Sequence, residues 1–149
     1  MPSMSTPLRL VDEKHGSRRG FKLRVVIIDD DRDTAITLAA LLSDEGDEVH
    51  TVLKAEEALD TCRLVRPDVV ISDVNMPAMS GYAIARELHE RHGAFAPLLI
   101  AISGQWTKTS DRLLGQAIGF DHYLLKPCDP RELLAILRPL REGKSATGG

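Results

Sequence analysis

The 149-residue sequence has little of what marks several large classes of protein. It contains two cysteines, one tryptophan and only 4% aromatic residues. Cys62 and Cys128 lack the paired spacing of a zinc site, and two thiols in a reducing compartment do not make a disulfide framework. No apolar run approaches the roughly 20 residues needed to cross a bilayer. The opening stretch MPSMSTPLRLVDEKHG has no hydrophobic signal region, so a cytoplasmic protein without membrane contact is expected. A broad basic face is missing too. Residues 1–24 carry six Lys or Arg against two Asp or Glu, a net of +4, which leaves −7 for residues 25–149 of a chain whose formal charge is −3. That balance argues against nucleic-acid binding by the folded part; Arg18, Arg19, Lys22 and Arg24 read as a short solvated basic arm.

What is present is ordinary for one globular domain: 43% hydrophobic and 28% charged residues. Residues 1–22 show no sustained apolar period and are expected to be a flexible extension. The domain begins at residue 23 and ends at 141, with 142–149 expected as a flexible tail. Between these limits, apolar runs alternate with helical stripes. Val25-Val26-Ile27-Ile28 is four β-branched residues in a row, suited to a strand buried on both faces. Ala35, Leu38, Ala39 and Leu42 follow at the spacing of one helix face, closed by Gly46. A strand at 48–52, a helix through Ala55, Ala58, Leu59 and Cys62, and a strand at 68–73 come next. A helix from Gly81 to about Arg91 is capped by Ser80, and a strand covers 97–102. A weaker helix lies within 107–117, and a strand covers 122–125. The last helix has Asp129 as N-cap, Pro130 at its first position and Glu132 at the third. Five strands alternating with helices imply a parallel sheet covered on both faces, with ligands at the carboxyl ends of the strands.

The residues leaving those ends carry the chemistry. The first strand runs into Asp29, Asp30 and Asp31, the third into Asp73, the fourth into Ser103 and the fifth into Lys126. Crowded carboxylates repel unless a cation or a proton offsets them. Oxygen ligands that share a phosphate suit Mg2+, and an ammonium and a hydroxyl supply charge and a donor to a transferring phosphoryl group. An aspartate can itself be the nucleophile. The blander readings are that Asp31 caps the next helix, that Cys62 is a small core residue, and that His89 and His92, at i, i+3 spacing, simply mark an exposed helix end.

Four motifs, IIDDD (27–31), PDVVISDVNMPAMSG (67–81), LLIAISG (98–104) and GFDHYLLKP (119–127), make the chain strongly resemble the receiver domain of two-component response regulators. The resemblance covers roughly residues 23–140. It implies a flavodoxin-like, doubly wound (βα)5 fold with strand order 2-1-3-4-5 and a cis Lys126-Pro127 bond. It implies Asp73 as phospho-acceptor and Asp30, Asp73 and the backbone carbonyl of Asn75 as ligands of Mg2+, with Mn2+ as a substitute and Asp29 acting through water. Ser103 and Lys126 would contact the phosphoryl group, Gly104 would leave room for it, and Ser103 with Tyr123 would form the switch. Asn75 and Gln105 would flank the attacking water and tune dephosphorylation.

The function implied is a signalling switch rather than an enzyme acting on a separate substrate. Its phosphoryl group would come from a sensor histidine kinase or a histidine phosphotransfer protein. The expected output is a downstream protein bound on the face of the last strand and last two helices, in a single-domain regulator with no DNA-binding domain. Two other readings compete. A haloacid-dehalogenase-like phosphotransferase shares the acidic strand end, the Ser and the Lys, but requires a late acidic pair that is missing after Lys126. A receiver-fold interaction module without phosphorylation usually lacks one of the acidic pair, the acceptor or the lysine, and all are present. Cys128 and Ser80 depart from the family's commoner residues, which bears on packing rather than on chemistry.

Overall fold

The computed structural model of the chain describes residues 22–74, 76, 80–93, 96–104 and 119–147. At its centre is a parallel five-stranded sheet in the order β2-β1-β3-β4-β5, the order expected from the resemblance. The strands are β1 (Arg24–Ile28), β2 (Glu48–Val52), β3 (Val69–Asp73), β4 (Leu98–Ser103) and β5 (His122–Leu125). The described helices are α1 (Arg32–Asp44), α2 (Ala58–Val65, entered through a 3-10 turn at Ala55–Glu57), α3 (Gly81–His92) and α4 (Pro130–Thr147). The helix expected within 107–117 lies outside the described residues.

Side chains alternate across a strand, so each central strand feeds two cores at once. Val25 and Ile27, Val69 and Ile71, and Ile100 and Ile102 face Ala35, Leu38 and Leu42 of α1 and Leu133 and Leu137 of α4. Val26, Ile28, Val70, Leu99 and Ala101 face the other way, toward Ala58 and Cys62 of α2 and Ile84, Ala85 and Leu88 of α3. The continuous β-branched runs follow from this two-sided burial. Each fully buried Ile contributes about 1.5–3 kcal/mol. Cys62 is one of these core residues, and burial pushes its thiol up to about 11, so it is inert rather than reactive.

Helix ends follow local chemistry. The Asp31 carboxylate accepts the Asp33 N–H at 3.1 Å and the Thr34 hydroxyl at 2.9 Å, so Asp31 is committed to starting α1. Ser80 accepts the Ala83 N–H and starts α3. Asp129 accepts the Arg131 N–H at 2.9 Å and starts α4. Helix α2 ends with Arg66 in the left-handed region (φ 54°), directly before Pro67, which cannot continue a helix.

One boundary differs from expectation. α4 runs on to Thr147, through residues that the sequence reading assigned to a tail starting at 142. Glu142, Lys144 and Ala146 are good helix formers, and no consecutive glycines occur before Gly148 and Gly149. Composition alone made the segment look like an unstructured tail, although its backbone can propagate the preceding helix.

The amino edge of the sheet is stitched by three aspartates. Asp47 accepts the Leu23 N–H at 3.2 Å, Asp68 the Arg24 N–H at 2.9 Å, and Asp121 the Leu99 N–H at 2.8 Å. Asp47 also pairs with the Arg141 guanidinium, which ties the middle of α4 to this edge.

Candidate functional site

The opposite, carboxyl edge is where the chain's charges meet. β1 leads to β2 on one side and is paired with β3 on the other, so the strand connections diverge between β1 and β3 and leave a crevice there. The β1–β3 register sets Ile28 beside Ser72, which brings the residues that follow, Asp29 and Asp73, to the same level. Asp29 is anchored by its own N–H, donated to the Val52 carbonyl at 3.0 Å, and Val74 N–H donates to the Ile102 carbonyl at 3.2 Å. Backbone bonds on both sides therefore hold the two acidic residues.

Asp29, Asp30 and Asp73 each offer a carboxylate oxygen, and these three atoms all lie within 4.8 Å of one another. Asp29 is fully buried, Asp73 is 5% exposed, and Asp30 is open to solvent. Lys126 reaches in from the end of β5. Its Nζ donates to Asp29 Oδ1 at 3.2 Å and to Asp73 Oδ2 at 3.2 Å. The Lys126 N–H donates to the Ser103 carbonyl at 2.9 Å, which sets the lysine's backbone against the end of β4. Ser103 is itself buried. The Lys126-Pro127 peptide is cis.

The electrostatics show what is under-compensated. Burial pushes the Asp29 carboxyl up to about 6, against hydrogen bonds from the Asp31 N–H and Lys126 that pull it down. Burial also works against the charge on Lys126, but the Asp29 and Asp73 carboxylates outweigh it and hold the ammonium above its ordinary value. Asp29 Oδ2 lies 3.0 Å from Nζ, yet it is buried with no hydrogen bond of acceptable geometry among the described residues. One ammonium thus serves two buried carboxylates, with a third carboxylate beside them. An all-oxygen donor set with a spare buried lone pair fits a hard cation such as Mg2+.

Of the other residues expected at the site, Gly104 follows Ser103 at the exposed edge, where a side chain would meet nothing within 4 Å. Tyr123 is half-buried, its ring edge-to-face with Phe120 at 6.2 Å and its hydroxyl 3.5 Å from the Phe120 carbonyl. Asn75 and Gln105 lie outside the described residues, as does Trp106. His89 is occupied elsewhere: its Nε2 is 3.0 Å from the Gly119 carbonyl. Cys128 follows the cis proline, and burial pushes its thiol up to about 11.

Two residues beside Asp73 escaped the sequence reading. Ser72 is a buried hydroxyl directly after the apolar Val69-Val70-Ile71 of β3, and it donates to the Asp73 carbonyl at 3.0 Å. A polar residue within VVISD is the signal that could have found it. Gly81, assigned only as the first residue of its helix, packs directly on the Asp73 backbone.

Comparison with known proteins identifies the family and the fold. Residues 25–138 match the response regulator receiver domain family. The transcriptional regulatory protein CreB of Escherichia coli is 37% identical over 116 residues, which is 78% of this chain and 49% of CreB. The DNA-binding response regulator MtrA of Mycolicibacterium paratuberculosis is 35% identical over 115 residues, 77% of this chain and 49% of that protein. Among solved structures, the chemotaxis response regulator CheY4 of Vibrio cholerae superposes with a TM-score of 0.73 at 29% identity, covering 80% of this chain and 99% of that one. The chain spans about half the length of these curated relatives.

That last fact overturns one expectation. A single-domain regulator with no DNA-binding domain, acting only through protein contacts, is not what the relatives support, because they are transcriptional and DNA-binding regulators twice the matched length. A receiver domain folds around its own core. Nothing inside it therefore reveals what accompanies it.

Proposed function

The chain belongs to the response regulator receiver domain family, and from that premise we propose that it is a phosphorylatable switch whose acceptor is Asp73. The unit that switches is residues 23–141. The donor is a phosphohistidine on a sensor histidine kinase or a histidine phosphotransfer protein. An Asp73 carboxylate oxygen attacks phosphorus, the P–N bond breaks as the P–O bond forms, and the imidazole leaves with the bonding pair. Water later hydrolyses the acyl phosphate and restores the carboxylate.

The observation that carries this reading is Lys126 Nζ, held 3.2 Å from Asp73 Oδ2 within a cluster of three carboxylates. Its ammonium is positioned to pair with the oxygens of an incoming phosphoryl group. Ser103, at the end of the neighbouring strand, supplies a hydroxyl donor. Asp30, Asp73 and the Asn75 carbonyl would hold Mg2+ (or Mn2+), with Asp29 acting through water, and the ion would supply charge neutralisation to the transferring group. Phosphorylation shifts the population toward a state in which Ser103 and Tyr123 have rearranged. Asn75 and Gln105 set how long the phosphorylated form lasts. The relatives point to transcriptional control as the output.

The test uses Trp106, the only tryptophan, three residues past Ser103. Its fluorescence is followed as Mg2+ and then phosphoramidate or beryllofluoride are added, with intact mass reporting transfer of one phosphoryl group. Saturable responses that vanish in Asp73→Asn are expected. A phosphoryl adduct that persists in Asp73→Asn would refute the assignment.

A further inference from the structure

Gly81 is the first residue of α3, and its main chain lies against the main chain of the acceptor strand. A methyl group built on it would stand 2.5 Å from the Asp73 carbonyl oxygen, 2.8 Å from Val74 Cα and 3.0 Å from Ser72 Oγ. The first two neighbours are backbone atoms that cannot rotate away. The Gly81 N–H donates to the Val74 carbonyl at 3.2 Å. From the strand side, the buried Ser72 hydroxyl donates to the same Asp73 carbonyl that occupies the hollow at Gly81.

We infer that Gly81 and Ser72 are positioning residues for phosphoryl transfer, setting the Asp73 main chain so that its carboxylate meets Lys126. This rests on Asp73 being the acceptor. Neither residue is placed at the carboxylate itself; both act through the peptide group between Asp73 and Val74. Three restraints converge on that group: the Ser72 hydroxyl on its oxygen, the Val74 N–H bond to Ile102 on the β4 side, and the first turn of α3 packed against it without an intervening side chain. Any side chain at 81 forces either α3 or the Asp73–Val74 backbone to retreat. A retreat of the backbone carries the carboxylate away from an ammonium now 3.2 Å distant. Transfer between aligned groups is steep in such displacements, with about 1 Å of misplacement costing about a hundredfold in rate.

A purely structural role for the same contacts would alter stability and leave the chemistry of the folded protein alone. The two are separated by comparing the wild-type chain, Gly81→Ala and Ser72→Ala at a temperature where far-ultraviolet circular dichroism shows each folded. Phosphorylation by phosphoramidate is measured at saturating Mg2+, and fluorine NMR spectra are recorded with beryllofluoride bound. The maximal rate is expected to fall at least about tenfold in Gly81→Ala and several-fold in Ser72→Ala. The half-saturating donor concentration should stay unchanged, and the fluorine resonances should move in both variants. Wild-type rates with unmoved resonances in both would overturn the inference, whatever the melting temperatures. If Gly81→Ala does not fold, Ser72→Ala decides alone by the same two readouts. A wild-type chain that takes no phosphoryl group would instead remove the acceptor assignment, and this inference with it.

Discussion

The two edges of the sheet hold the same kind of residue in opposite circumstances. At the amino edge, Asp47, Asp68 and Asp121 each accept a backbone N–H from a neighbouring strand, and Asp47 has Arg141 as well. At the carboxyl edge, Asp29, Asp30 and Asp73 crowd together, Lys126 reaches Asp29 and Asp73, and one buried carboxylate oxygen lacks a hydrogen bond among the described residues. The first set completes the ladders where strands begin. The second gathers negative charge which, on the function proposed above, a cation or a phosphoryl group would meet. Acidity alone does not distinguish the two edges; the close approach of three carboxylates does, together with a buried Asp29 oxygen that has no hydrogen bond among the described residues.

That contrast can be broken at either side, and the largest effect is expected at the carboxyl edge. Lys126→Ala should lower the rate of Asp73 phosphorylation by about a hundredfold, in line with the loss of one preorganised donor to developing charge. A rate within a few-fold of wild type would show that the lysine is ornamental. At the amino edge, Asp47→Ala should cost about 3 kcal/mol in urea unfolding, because it strands a mostly buried guanidinium and a strand-end N–H. Phosphorylation of the molecules still folded should be unchanged. Asp29→Asn should do the reverse. In Mg2+-free buffer it should leave stability unchanged or raise it by about 1 kcal/mol, since it relieves like-charge crowding in a buried place, while Mg2+ binding weakens. Destabilisation as large as that of Asp47→Ala would erase the distinction between the edges.

The smallest effect concerns pH at the start of α4. The Arg131 N–H hydrogen bond holds the Asp129 carboxyl below its ordinary 3.8. A depressed acid contributes stability above its unfolded value and loses it as pH falls through the folded one. Wild type and Asp129→Ala should therefore differ in melting temperature at neutral pH and converge as pH drops below 3.8. A gap that persists in strong acid would mean that the cap works through packing rather than charge.

Much of the fold was readable because two-sided burial writes itself as uninterrupted apolar runs, and because Asp31, Ser80 and Asp129 announce helix starts by their side-chain chemistry. The acidic cluster and the lysine were readable for a related reason, since they stand where such runs end. Ser72 and Gly81 were harder to see. Their importance comes from what lies across a helix–strand contact, and no local period reports that distance. Asp47 carries no local sign of its pairing with Arg141, 94 positions later. Whether a further domain goes with the receiver cannot be read from it, because a self-contained core carries no record of its neighbours.

Helix α4 is moored twice. Its first turn is capped by Asp129, three residues past Lys126 in the acidic pocket, and its middle is bound through Arg141 to the far rim of the sheet, about 17 Å further along the axis. A rod fastened at both ends of a sheet acts as a gauge of that sheet's geometry. Any shift of the loop that carries the lysine must be met by a tilt of the whole helix, by release of the Asp47 mooring, or by a break in the rod.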